Sequence, residues 1–183
     1  MRKVAILFLA GVAVVFFCDS ILGARLGDPA QKLQIKEWVK NGPVELEAGK
    51  GKNIFVVEFW ATWCPPCRRS IPHLTELQQK YRDKDVVIVG VSMEEPSDVK
   101  PFVEKMGDKM NYAVAIDDAY KTYAGYMEAY GAPGIPWAFV VDKRGNLVWQ
   151  GSPLDDLESV IKKVIVEEDK QKGASKPERG DKK

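Results

Sequence analysis

The stretch Ile54–Trp60, Ile-Phe-Val-Val-Glu-Phe-Trp, constrains this chain most: six of its seven residues are apolar and only Glu58 interrupts them. An apolar run of this length, rich in β-branched and aromatic side chains, predicts a central strand covered on both faces. Such a strand needs a layer of structure above it and another below. The residues that follow supply one of them. Ile71, Leu74, Leu77 and Tyr81 recur at helical spacing, and Val86–Val91 is a second apolar run. Strand, helix and strand in that order imply a parallel crossover.

The alternation continues. Pro96–Met106 reads as a helix with proline in its first turn. Tyr112–Ile116 reads as a short strand, Asp118–Tyr130 as a helix, and Pro136–Val141 as a strand. Asp142–Asn146 predicts a hairpin turn into Leu147–Gln150, and a last helix starts at Ser152-Pro153 with Leu154, Leu157, Ile161, Val164 and Ile165 on one face. Ahead of the central strand, residues 33–46 read as an N-terminal β-hairpin turning at Asn41-Gly42. The expected fold is therefore α/β: a three-layer sandwich with a central mixed sheet, helices on both faces and an N-terminal β-hairpin.

The chain begins Met1-Arg2-Lys3, followed by the apolar run 4–17. Cations before a short apolar run form the pattern of a secretory leader. Residues 1–24 are expected to be a signal peptide cut after Gly23 or Ala24, or else an uncleaved N-terminal membrane anchor. Cys18 allows a lipoprotein reading, but the preceding Phe16 and Phe17 are larger than a lipidation signal favours. In either case the domain faces a non-cytosolic compartment, the periplasm or the cell surface. Residues 25–32 read as a linker, 33–166 as the folded domain, and 167–183, charged and without apolar period, as a disordered tail. With Lys+Arg 27 against Asp+Glu 26, the chain lacks the basic excess of a nucleic-acid binder. No oligomerisation signal is present, and a monomer is expected.

Once a leader is removed, the chain holds two cysteines, Cys64 and Cys67, in Trp63-Cys64-Pro65-Pro66-Cys67. A Cys-x-x-Cys between a central strand and its helix is a disulfide-exchange arrangement. The spacing brings both sulfurs into one turn. The helix N-terminus offers free N–H donors and partial positive charge, which favour the attacking thiolate at Cys64. Cys67, inside the first turn, is the natural resolving thiol. Pro65 and Pro66 carry no N–H, which leaves the Cys67 N–H as the main donor to Cys64. The sequence therefore predicts a modest depression of the Cys64 pKa and a reducing couple. Arg68 and Arg69 act against this only if they fold back, and both are expected to be solvated.

The run Glu58-Phe59-Trp60-Ala61-Thr62-Trp63-Cys64-Pro65-Pro66-Cys67, with Pro72 and Gly134-Ile135-Pro136, resembles the thioredoxin-like superfamily. It is most similar to the membrane-anchored TlpA- or ResA-like branch, over residues 33 to 166. The resemblance implies a thioredoxin-like fold and thiol–disulfide oxidoreductase activity without a cofactor. It implies a cis proline at Pro136, facing the cysteine pair, and substrate pairing on the backbone of Ile135. Pro72 falls where the family's first helix kinks. Also implied are protein disulfide or dithiol substrates, including apocytochromes or metal-site proteins, and a membrane electron donor. Trp63 beside Cys64 joins Ile135 and Pro136 as a substrate-binding candidate.

Glu58 stands six residues before Cys64. Thioredoxins place a buried Asp there, and many TlpA-like proteins place Asn. Inside an apolar strand its carboxyl should have a raised pKa, which suits a proton acceptor for Cys67. The alternative is a strand-end carboxylate that reaches water. Trp137 either shapes the substrate groove or packs on the core. His73 with the cysteine pair falls short of the four ligands of a structural zinc site, so no metal is expected. A peroxidase would need a lone peroxidatic cysteine in its own motif. Competing readings of the same residues are a thiol oxidase or isomerase and a non-catalytic module binding clients or a metal.

Overall fold

A computed structural model describes residues 24–174; the expected leader up to residue 23 and the end of the expected tail lie outside the described residues. Six strands form one sheet: β1 (Ile35–Lys40), β2 (Ile54–Trp60), β3 (Val86–Ser92), β4 (Ala113–Asp117), β5 (Trp137–Val141) and β6 (Leu147–Gly151). Their order is β1-β4-β3-β2-β5-β6. Strands β2, β3 and β4 are parallel, and β1, β5 and β6 each run antiparallel to an inner neighbour. The helices are α1 (Pro65–Tyr81), α2 (Pro96–Met106), α3 (Lys121–Tyr123, continued by a π-helical turn, Ala124–Glu128) and α4 (Leu157–Ala174). Among the described residues no helix is long and apolar enough to cross a membrane.

Every residue of β2 is buried, because side-chain alternation divides it between two cores. Ile54, Val56 and Trp60 pack with Ile71, Leu74 and Leu77 of α1, Val99 and Val103 of α2, and Leu157 and Ile161 of α4. Val57 and Phe59 face the other way, onto Tyr126, Met127 and Phe139. Helices thus cover both faces of a mixed sheet, as the order of elements predicts, in the thioredoxin-like sandwich that the resemblance implies. At ~1.5–3 kcal/mol for each fully buried large apolar side chain, β2 anchors both cores.

Four expectations are corrected at the margins. The N-terminal hairpin does not form. Its first arm is the edge strand β1, paired with β4, while residues 43–53 run as loop and turn. Asn41, the expected turn residue, instead donates from Nδ2 to the Tyr112 carbonyl at 3.2 Å. The next residue but one, Pro43, has no N–H for a returning ladder. The expected linker is docked rather than free. The Gly27 N–H donates to the Leu147 carbonyl at 2.7 Å, and Pro29 bridges to Asn146.

The third correction lies in Asp118–Tyr130. Ala119 and Tyr120 have φ of 50° and 62°, which no right-handed helix accommodates. The helix starts only at Lys121, where the buried Asp117 carboxylate accepts the N–H groups of Thr122 and Tyr123, both at 2.9 Å. It then widens, with the Ala129 N–H donating to the Ala124 carbonyl. Fourth, the last helix begins at Leu157 rather than at Ser152 and continues through Ala174, past the expected domain end at 166. The Asp142–Asn146 turn forms as expected, with Asp142 Oδ1 accepting the Asn146 N–H at 2.8 Å.

Asp117 is the sole side-chain cap found for α3 among the described residues. Asp117→Ala should cost about 1–2 kcal/mol in urea unfolding, with Asp117→Asn losing less. Equal stability of the alanine variant and the parent would show that the cap holds nothing.

Candidate active site

Strand β2 ends at Trp60, and the chain turns through Ala61, Thr62 and Trp63 into α1. Cys64 is the N-cap of that helix: its backbone is extended (φ −86°, ψ 106°) and its Sγ accepts the Cys67 N–H at 3.2 Å. Pro65 and Pro66 occupy the first helical positions, where an N–H has no intrahelical partner to lose. Cys64 and Cys67 are joined by a disulfide with Cα atoms 5.3 Å apart. Both are buried, Cys64 at 2% and Cys67 at 0% exposure, whereas Trp63 is 67% exposed. The pair is thus approached past an open indole, with Cys64 as the sulfur nearer the surface.

The predicted facing proline is in place. The Ile135–Pro136 peptide is cis, and the Ile135 carbonyl oxygen lies 3.9 Å from Cys64 Sγ. Ile135 and Pro136 are half-buried at the start of β5. Trp137 packs with the second core and donates from Nε1 to Gln150 Oε1 at 3.0 Å, so the packing reading of this residue describes its contacts. His73 is half-buried on α1, which runs through Pro72. Among the described residues no three His, Cys, Asp or Glu side chains group as a metal site.

Glu58 sits in the middle of β2, between Gly90 of β3 and Ala138 of β5. Its side chain is fully buried, which excludes the strand-end reading. Burial pushes its carboxyl up to about 8, against a smaller opposing effect of the Ser70 hydroxyl. Ser70 Oγ lies 3.5 Å from Glu58 Oε1 and donates to the Cys67 carbonyl at 2.9 Å. One hydroxyl therefore links the buried acid to the helical turn carrying Cys67. A carboxyl with a proton affinity near that of a thiol, about 8.5, can exchange a proton with one at little free-energy cost.

Sequence reasoning missed Ser70 and the brace on the turn before Cys64. Glu94, on the loop after β3, accepts the Thr62 N–H at 2.6 Å and the Thr62 hydroxyl at 2.7 Å. Arg68 is exposed but not merely solvated. It folds back to donate to the Thr62 carbonyl at 2.6 Å and lies over the Phe102 ring. Its charge is thus directed at the turn before Cys64. The three-residue spacing from Cys67 to Ser70 was the only available signal for the serine. Nothing in the sequence connects Glu94 to Thr62.

A thioredoxin-like sandwich with a surface-approached Cys-x-x-Cys capping its first helix defines a thiol–disulfide oxidoreductase. The AhpC/TSA family model matches residues 26–150. The thiol-disulfide oxidoreductase ResA of Bacillus thuringiensis (strain Al Hakam) is 31% identical over 172 residues, covering 89% of this chain and 94% of that one. The ResA of Halalkalibacterium halodurans is 31% identical over 134 residues, 73% of this chain and 71% of its own. Among solved structures, a putative thiol:disulfide interchange protein DsbE from Chlorobium tepidum superposes with a TM-score of 0.64 at 28% identity, over 77% of this chain and 98% of that one. This chain belongs to the AhpC/TSA family, among its ResA-like thiol–disulfide oxidoreductases.

The raised carboxyl has a stability consequence of definite sign. Unfolded, Glu58 ionises near its ordinary 4.5; folded, near about 8. Between those values the folded chain holds a proton that the unfolded chain has released, so stability falls as pH rises through that window. From pH 5 to pH 8, wild type should lose roughly 2–4 kcal/mol relative to Glu58→Gln in urea unfolding. Parallel curves for the two proteins would mean that Glu58 ionises normally.

Proposed function

We propose that the protein works outside the cytosol as a reductant of protein disulfides, with Cys64 as nucleophile, Cys67 as resolving thiol and Glu58 as proton acceptor. The thiolate of Cys64 attacks a substrate disulfide, forming a mixed disulfide and releasing one substrate thiolate. The Cys67 thiol passes its proton toward Glu58, attacks Cys64 Sγ, and releases the second substrate thiolate. Two electrons move to the substrate, and the protein is left with the Cys64–Cys67 bond. A membrane-borne donor of two electrons then restores the dithiol, since an oxidising compartment supplies no soluble reductant to do so.

The observation that carries this reading is the single hydroxyl, Ser70, set between Glu58 and the Cys67 turn. A carboxylate of ordinary pKa would be too weak a base for a thiol; one raised to about 8 is matched to it. The reducing direction is supported by the thin stabilisation of Cys64, one N–H donor from Cys67 and two prolines that can donate nothing; the folded-back Arg68 opposes it, but its guanidinium bonds to the Thr62 carbonyl and lies over the Phe102 ring. Trp63, Ile135 and Pro136 form the contact surface. The substrate strand pairs with the Ile135 backbone, and Trp63 covers the scissile bond.

Stopped-flow kinetics with a disulfide peptide tests the roles separately. Glu58→Gln should slow resolution of the mixed disulfide by about 100-fold at pH 7 while changing attack by Cys64 by less than about twofold. Cys67→Ser should accumulate the mixed disulfide with substrate proteins. An unchanged resolution rate in Glu58→Gln removes Glu58 from the mechanism, and absence of trapped species in Cys67→Ser removes the exchange cycle itself.

A further inference from the structure

Among the described residues, three buried side-chain atoms make no hydrogen bond: Glu58 Oε2, Trp60 Nε1 and the Tyr112 hydroxyl. They belong to one neighbourhood. Glu58 and Trp60 are two residues apart on β2, so both point to the same face. Glu58 is directly paired with Gly90 of β3. A Cβ at Gly90 would meet Tyr112 Cε2 at 2.9 Å and Trp60 Nε1 at 3.1 Å. The missing side chain of Gly90 is therefore what lets the phenol and the indole close over the strand beside the carboxylate. Burial, and after it the charge of Glu58, holds the Tyr112 phenol well above the ordinary range.

Buried polar atoms are rarely left unpaired, and three in one place call for a shared partner. The chemistry of the set specifies it: an indole N–H that only donates, a carboxylate oxygen that accepts, and a phenol that does either. We propose that Glu58, Trp60 and Tyr112 converge on one internal water, and that Tyr112 and Trp60 are positioning residues that act on Glu58 through it. The water accepts from Trp60 Nε1–H and from the Tyr112 hydroxyl and donates to Glu58 Oε2. Those three hydrogen bonds are the usual complement of a buried water. The water's bond to Oε2 favours the ionised form of Glu58, the form that takes the Cys67 proton, and the two donors behind the water fix and polarise it, so the inference rests for its catalytic meaning on the proposed role of Glu58.

The groups facing Glu58 are Ser70 of α1, on the turn that carries Cys67, then Gly90 of β3, Ala138 of β5, and Tyr112 from the turn before β4. In the oxidised chain neither cysteine titrates, so the carboxyl can be followed cleanly. The test is the ¹³C chemical shift of the Glu58 carboxyl against pH in oxidised protein, wild type and Tyr112→Phe. Loss of the hydroxyl that holds and polarises the water donating to the charged form should raise the midpoint by about one pH unit. An unmoved midpoint overturns the site. In wild type, a long-lived water should give a cross-peak to the Trp60 indole proton, and its absence would also overturn the site, whether or not the variant folds. A midpoint that rises while the pH dependence of mixed-disulfide resolution stays put would keep the water site and refute Glu58 as the acceptor.

Discussion

The site depends on β2 being covered on both faces. That burial fixes where the strand ends, and the strand end fixes where α1 begins. Cys64 caps α1 with its own sulfur, so position and electronic environment arise from the same contact. A strand with one wet face would tolerate slippage. Here Val57 and Phe59 are locked into one core and Val56 and Trp60 into the other. The turn between is then braced from outside by Glu94 and Arg68 on Thr62.

The same burial makes Glu58 unusual. A carboxyl inside such a strand destabilises the fold whenever it is ionised, and nothing in the packing of the sheet requires it. Its Oε1 has one long hydroxyl contact, from Ser70, and its Oε2 is buried without a hydrogen-bond partner among the described residues. Polar groups of this kind sit at the bottom of the site, beneath the turn carrying Cys67. A buried carboxyl of raised pKa beside the turn that carries Cys67 is the kind of conflict with packing expected where function and packing compete.

Much of this was legible in the sequence, for identifiable reasons. The strands and helices near the site carry clean apolar periods, and Trp63–Cys67 lies at a strand–helix junction that few folds offer. The burial of Glu58 follows from the apolar neighbours on both sides of it. The edges were harder. The Asn41-Gly42 turn signal was overridden because Asn41 bonds to Tyr112 and Pro43 offers no N–H. The helix expected from Asp118 was delayed by two left-handed residues that the aromatic spacing concealed. Ser70, Glu94 and Tyr112 were invisible because each acts across 12 or more residues of sequence, through contacts that exist only once the sheet is formed.

The most direct measurement is the reduction potential of the Cys64–Cys67 couple, equilibrated against glutathione or dithiothreitol. If the donor-poor N-cap, with one N–H on Cys64 and two prolines beside it, outweighs the folded-back Arg68 as proposed, the measured potential lies near or below about −250 mV, in the range of thioredoxin. A value of about −120 to −180 mV, in the range of strong oxidants and isomerases, would contradict the reductase reading.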